Sequence, residues 1–346
     1  MHAQAIHSSL STPLSRRALV FALLSLLVAL MMILNLRIGS ISYPVDQLLG
    51  ALVNPFKKSD ISYIVWNIRL PRTIAAALGG AFLAVSGLLL QVYFRNPIVG
   101  PFILGISSGS TVMVSLVMLT SIGLGFSGYA PYLNTLASCL GAYGVTALIV
   151  VIAIRVRNGV TLLIAGLMMG YLCGAVTSIL TALAEKETIK GFVLWQMGSF
   201  SGFKWIEVWI MFVVGGLLLG ATYLMSKPLN ALLLGEDYAA SMGVDIRRFR
   251  LLILFLSSSL AGLVTAMAGP VAFIGMAVPH MTRLSLGTSD NRVLLPGACL
   301  LGALITSLCD LIARMWLTPV ELPLSAITAF FGAPIVIYLL LKRGMK

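Results

Sequence analysis

The chain has 346 residues, of which 59% are hydrophobic and 10% charged, with a formal net charge of +12 and a mean hydropathy of +1.02. A soluble domain carries about a quarter charged residues, so this composition excludes a chain that solvates its own surface and makes lipid the natural solvent. The Lys and Arg residues stand singly or in pairs between apolar runs rather than among aromatics, a pattern that sets membrane orientation and gives nucleic acid no basic face.

Residues 1–15, including His2 and His7, form a polar tail, and 16–346 read as one transmembrane domain. Ser15-Arg16-Arg17 before an apolar run has the look of a secretory signal. The run Ala18–Leu36 is too long for one, however, and no small-residue cleavage site follows, so it is expected to stay as a first membrane helix. A hydrocarbon core of ~30 Å takes ~20 apolar residues per helix. Apolar runs predict helices near 17–36, 68–92, 99–118, 131–154, 160–182, 203–225, 247–268, 271–285, 292–316 and 322–341. The run 271–285 is too short to cross alone and reads as a half-helix packed on protein, because lipid cannot satisfy free backbone groups. The expectation is an all-α polytopic fold of about ten spans.

Starting inside puts Arg16, Arg17, Arg95, Arg155, Arg157, Lys227, Arg247, Arg248, Arg250, Arg283, Arg292, Lys342, Arg343 and Lys346 in the cytoplasm, out of 23 basic residues. Only Glu236, Asp237, Asp245 and Asp290 of the 11 acids join them. This excess favours both termini inside and an even number of spans. Leu83-Ala84-Val85-Ser86-Gly87, then Asn96-Pro97 and Leu104-Gly105, has an echo in Val264–Gly269, Val278-Pro279 and Leu286-Gly287. The counterparts run in opposite directions across the membrane, which is an inverted repeat of the kind transporters use.

Asn67-Ile68-Arg69-Leu70-Pro71-Arg72 opens the second helix, with Pro tolerated in a first turn. Arg69 and Arg72 are three apart, so they share a face at the outer surface, either as interface anchors or as a docking point for a partner's carboxylates. Leu234–Asp245 is the longest polar insertion on the inner side, part of a loop at about 227–246. Gly235 and Gly243 can redirect short helices there, presenting Glu236, Asp237 and Met242 to a partner. Two prolines and two glycines interrupt Gly269–Arg283, as in broken helices at a pathway or hinge. Asp310 and Arg314, spaced i, i+4, are expected to pair locally, since ionisable residues within a span are costly.

Cys139, Cys173, Cys299 and Cys309 lie inside apolar runs without metal-ligand spacing and read as small hydrophobes. No G-x-x-x-x-G-K-[ST] segment is present to bind ATP, and no constellation for hydrolysis, so no catalytic residue and no cofactor or metal are expected in this chain. Apart from Asp310, carboxylates are nearly absent from the spans. That argues against the alternative reading, an ion-coupled secondary transporter acting without an ATPase.

Taken together these segments resemble the FecCD family of importer permeases, which includes the membrane subunit of the vitamin B12 importer. The resemblance rests on Arg69-Leu70-Pro71-Arg72, Phe94-Arg95-Asn96-Pro97, Leu104–Gly109, Gly235–Gly243, Phe273-Ile274-Gly275 with Val278-Pro279-His280 and Arg283-Leu284, Leu294–Gly297, Asp310–Arg314, Glu321-Leu322-Pro323 and Gly332-Ala333-Pro334, in order from about residue 66 onward. It implies a homodimer of ten-helix subunits in the bacterial inner membrane. Two cytoplasmic ATPase subunits would bind ATP and Mg, and a periplasmic or lipid-anchored binding protein would deliver the cargo. It assigns Arg69, Arg72 and Arg314 to binding-protein docking and Gly235, Glu236, Asp237, Met242 and Gly243 to ATPase coupling. The turn Asn158-Gly159-Val160 would be an inner gate, before a helix lining the pathway near Gly166 and Gly170. The cargo implied is a metal chelate, a ferric siderophore first, with haem, cobalamin and molybdate also carried in the family.

Overall fold

The computed structural model describes residues 13–39, 43–53, 59–120, 130–156, 159–318 and 320–344. In chain order the helices are α1 (Pro13–Arg37), α2 (Val45–Val53), α3 (Asp60–Ile64), α4 (Leu70–Phe94), α5 (Ile106–Leu119), α6 (Ala130–Arg155), α7 (Gly159–Leu183) and α8 (Lys186–Gln196). They continue with α9 (Trp205–Ile210), α10 (Gly216–Leu224), α11 (Ser226–Leu234), α12 (Glu236–Ser241), α13 (Ile246–Ala268), α14 (Ile274–Leu286), α15 (Asn291–Met315) and α16 (Leu324–Gly344). π-helical turns at Val65–Arg69 and Met211–Gly215 join α3 to α4 and α9 to α10. Among the described residues 7 helical rods are long and apolar enough to cross a membrane. The other predicted runs are α5, α14 and α16, of which α5 and α14 are short, with 14 and 13 residues.

Three expectations need correction. The second rod starts at Asp60, well before the expected 68, although Pro71 does fall in the first turn of α4, directly after a π turn that continues the rod. The Leu70 N–H reaches back five residues to the Val65 carbonyl there, so a wider turn absorbs the neighbourhood of the missing proline donor. The run expected from residue 99 becomes helical only at Ile106, because Pro97 and Pro101 withdraw donors and Gly105 takes a left-handed φ of 73°. Finally, α2 and α8 fall in no predicted run. Each buries only a few side chains, Leu48 and Ala51 on α2 and Phe192 on α8, so neither makes a long apolar stretch.

The core is organised on α4, whose most apolar window is 89% buried, against 11% for α7 at the periphery. Small residues bring the backbones together. On α4, Gly79 lies against Val264 of α13 and Gly80 against Gly302 of α15, while Ser86 meets Ser257 of α13. Rising numbers on α4 meet falling ones on both partners, so α13 and α15 run antiparallel to it. The Ser86 and Ser257 hydroxyls each donate to the other residue's carbonyl, at 2.7 and 3.0 Å. Interhelical bonds of this kind are worth about 0.6 kcal/mol each. α1 turns an apolar stripe outward, Leu19, Leu23, Leu26, Leu30 and Ile33 all being exposed. A soluble bundle would bury that face; here it meets lipid.

The sequence echo is matched only in part: Leu104-Gly105 precedes α5 whereas Leu286-Gly287 ends α14, and Pro97 lies before α5 whereas Pro279 lies inside α14. α4 and α13 are both long helices that end in a left-handed break, with Arg95 and Gly105 in one and Gly269 and Phe273 in the other. Each break leads into a short helix, α5 or α14. The two copies run in opposite senses, as an inverted repeat requires.

Candidate functional site

Polar side chains gather at the two ends of the bundle, about 36 Å apart along the 25 residues of α15. At the first end the π turn sends Arg69 and Arg72 in different directions. Arg69 donates to the Leu36 and Arg37 carbonyls at 2.6 and 3.1 Å, closing the last turn of α1, and lies 5.0 Å from the Tyr43 ring centroid. Arg72 forks onto Asp310, with Nε at 3.1–3.2 Å from both oxygens and Nη2 at 3.0 Å from Oδ1, while Nη1 reaches Glu321 at 2.7 Å. Arg314 instead donates to Asn35, at 3.2 Å to its carbonyl and 2.9 Å to its side-chain oxygen.

The local Asp310–Arg314 pair expected from spacing is therefore replaced by a long-range one. Asp310 is held by Arg72 on α4, because a fork aimed across the helix interface satisfies both carboxylate oxygens. The three arginines do share one end, but all are buried, at 5%, 6% and 8% exposure. They stitch α1, α4 and α15 together and do not stand free at the surface. Glu321, whose side chain is 41% exposed, is the part of this network open to the outside.

At the second end the segment Leu234–Asp245, which reads as short helices redirected at Gly235 and Gly243, holds one of them, α12, and the other, α11, lies just upstream of it. Gly235 joins them at φ 134° and ψ 154°, a conformation reserved for glycine, and Gly243 at φ 85° releases the chain toward α13. Asp245 caps α13 by accepting from the Arg248 amide at 3.1 Å. Glu236 is tied inward to Arg250, whereas Asp237, Tyr238 and Met242 face outward, Met242 at 65% exposure. Behind them, Asn230 of α11 donates to Asp290 at 2.6 Å and accepts from both the backbone and side chain of Asn291 at 2.8 Å. Burial opposes ionisation of Asp290, but the Asn230 amide and the Arg292 backbone N–H hold its carboxyl below the usual aspartate range. Thus α11 is latched to the start of α15, whose far end carries Asp310 and Arg314. The latch was missed from sequence because its residues are 60 positions apart.

Of the expected gate, Asn158 lies outside the described residues, Gly159 opens α7 and Val160 is exposed. Gly166 and Gly170 lie on the face of α7 that meets the segment before α5. They pack on Leu104 and Gly105, where a Cβ on Gly105 would sit 3.1–3.2 Å from both glycine backbones. A cavity of about 260 Å³ opens beside them, lined by Ser107, Ser108, Thr111, Thr177, Ser178 and Gln196 among others. Among the described residues no group of three His, Cys, Asp or Glu comes together as a metal site.

Residues 26–342 match the FecCD transport family. The chain is 38% identical over 280 residues to the vitamin B12 import system permease protein BtuC of Salmonella paratyphi A, covering 81% of this chain and 84% of the relative. BtuC of Salmonella typhi is 38% identical over 281 residues, with the same coverage. The fold is similar to a solved structure described as an inward-facing conformation of a metal-chelate type ABC transporter. The TM-score is 0.82 at 31% identity, over 94% of this chain and 99% of that one.

Proposed function

The chain belongs to the FecCD transport family, and from that membership we propose that it imports a metal chelate, a ferric siderophore, across a bacterial inner membrane. It is a multi-pass membrane permease of the ABC-importer type, a transporter and not a catalytic enzyme. In this reading it works as a homodimer with both termini in the cytoplasm. Two ATPase subunits bind ATP and Mg beneath α11 and α12, and a binding protein delivers cargo at the opposite end. The names of the relatives support a metal-containing cargo. The observation that carries the mechanism is the latch: α15 is tied at one end to α11 through Asn230 and at the other to α4 through Asp310. A displacement of the short helices is thereby delivered to a helix that spans the membrane.

Coupling uses the outward face of α12. Met242 and Asp237 enter a cleft of the ATPase, while Gly235, Glu236 and Gly243 fix the angle of the short helices. Met242→Asp should abolish co-purification of the ATPase subunit and leave the melting temperature of the isolated permease within ~2 °C, since exposed substitutions usually cost under ~0.5 kcal/mol. Undiminished co-purification would remove Met242 from the interface.

Docking at the other end proceeds by exchange. A carboxylate of the binding protein takes the place of Glu321 on Arg72, with Arg69 and Arg314 keeping the cluster positive and in place. Glu321→Gln, which keeps shape and removes the competing charge, should tighten binding-protein affinity about two- to fivefold, the range of a modest ionic contact. An unchanged or weakened affinity would refute the exchange.

A further inference from the structure

A second cavity, about 350 Å³, lies at the α11–α12 end, between the last turn of α4, α11, α14 and the start of α15. Arg95, Asn96, Arg283 and His280 line it with Gln91 and Asn291, and no Asp or Glu is among its lining residues. Arg95 and Arg283 thus both line it with no carboxylate among the lining residues. Arg283 donates to Gln91 at 2.6 Å, and Gln91 passes its own amide to the Met276 carbonyl at 3.0 Å. Arg95 donates to the Leu232 carbonyl at 3.3 Å. Neither arginine forms an ion pair among the described residues, unlike Arg72, Arg248 and Arg250. Each fork has five N–H donors, so most of both remain for a ligand. The Asn96 side-chain oxygen is taken by the Ile98 amide at 3.1 Å, which leaves its NH₂ as a further donor.

Backbone strain points the same way. Arg95 is the left-handed residue that ends α4, at φ 49° and ψ 32°. Glycine is the favoured residue at such a position, and a Cβ costs about 1 kcal/mol there. Capping Leu232 uses one N–H of the side chain, so the fork has capacity beyond that role. The wall also includes Val92, Pro97, Leu233 and Leu294, apolar groups next to the donors.

We propose that this cavity binds a phosphate-bearing anion, gripped by Arg95 and Arg283 with Asn96. Arginine forks match phosphate oxygens in a bidentate manner, and basic pockets between membrane helices hold acidic lipid head groups. The apolar wall would suit the glycerol and first acyl carbons of a lipid; free phosphate shares the same charged chemistry.

The test is native mass spectrometry of the delipidated full-length chain, titrated with phosphatidylglycerol, phosphatidylcholine or inorganic phosphate. Wild type should prefer phosphatidylglycerol to phosphatidylcholine about tenfold, the equivalent of one charge-assisted contact. Arg95→Gln with Arg283→Gln should erase that preference. Inorganic phosphate that displaces phosphatidylglycerol only in wild type places the phosphate group in this cavity; phosphate binding without lipid preference supports the site with free phosphate as the source. If the glutamine variant loses helicity, Arg95→Lys with Arg283→Lys, which keeps charge but not the fork, should lower the preference severalfold. No preference and no phosphate binding in wild type, or a preference that persists in the folded variants, overturns the proposal.

Discussion

Asp310→Ala should destabilise the permease by about 3–5 kcal/mol, the usual loss when one member of a buried ion pair is removed. The Asp310 side chain is 2% exposed and that of Arg72 is 8%, and the two are joined by three hydrogen bonds. Without Asp310, Arg72 retains only the half-exposed Glu321 and remains a buried cation with donors unmet. The penalty arises from that stranded charge rather than from the attraction lost. Arg72→Met in the Asp310→Ala background should therefore restore much of the stability, as apolar replacement of whole buried pairs often does. Thermal unfolding of the single and double variants in detergent distinguishes the cases. A single variant that unfolds within ~0.5 kcal/mol of wild type would mean that the pair is solvated.

Gly87→Val should cost about 3 kcal/mol or more, at the upper end of what overpacking inflicts. A Cβ at position 87 would collide with the backbone carbonyl of Gly275 on α14, and its next nearest neighbours are that residue's carbon and Cα. A side chain can rotate away, but this obstacle is main chain. Position 279 explains why that carbonyl is available: it is proline, so the Gly275 oxygen lacks its ordinary i+4 donor, and the α4 backbone packs onto it. Gly87→Ala should show the same effect at smaller size. In contrast Gly174→Ala, where a Cβ meets nothing within 4 Å, should be tolerated. Folded yield and melting temperature of the three variants measure this, and equal behaviour at 87 and 174 would contradict the packing.

The spans were legible in the sequence because membrane helices are defined by composition and length, which the chain states directly. The short helix α12 was also legible, since Gly235 and Gly243 mark breaks that need unusual backbone angles. What could not be read were partners brought together from afar. Asp310 was paired with Arg314 by its i, i+4 spacing, yet its partner is Arg72, 238 positions away. The same applies to Asn35 with Arg314 and to Asn230 with Asp290. Exposure was misjudged for a related reason. Arg69 and Arg72 were placed at a surface because they begin an apolar run, but α1 and α15 close over them. The close approach of Gly166 and Gly170 on α7 to Leu104 and Gly105 was likewise invisible in the sequence, because it joins segments about 60 residues apart.

The central claim, that this chain is a conduit driven by ATP hydrolysed elsewhere, is tested by uptake into proteoliposomes. Radiolabelled ferric siderophore and cobalamin would be offered to vesicles holding the permease alone or with its ATPase and binding protein, with ATP inside or an ion gradient imposed. The account predicts accumulation of the ferric siderophore only in the complete assembly with ATP, and its loss on Met242→Asp. Uptake of cobalamin instead would correct the cargo and leave the mechanism standing. Sustained uptake by the permease alone, driven by the gradient, would contradict it.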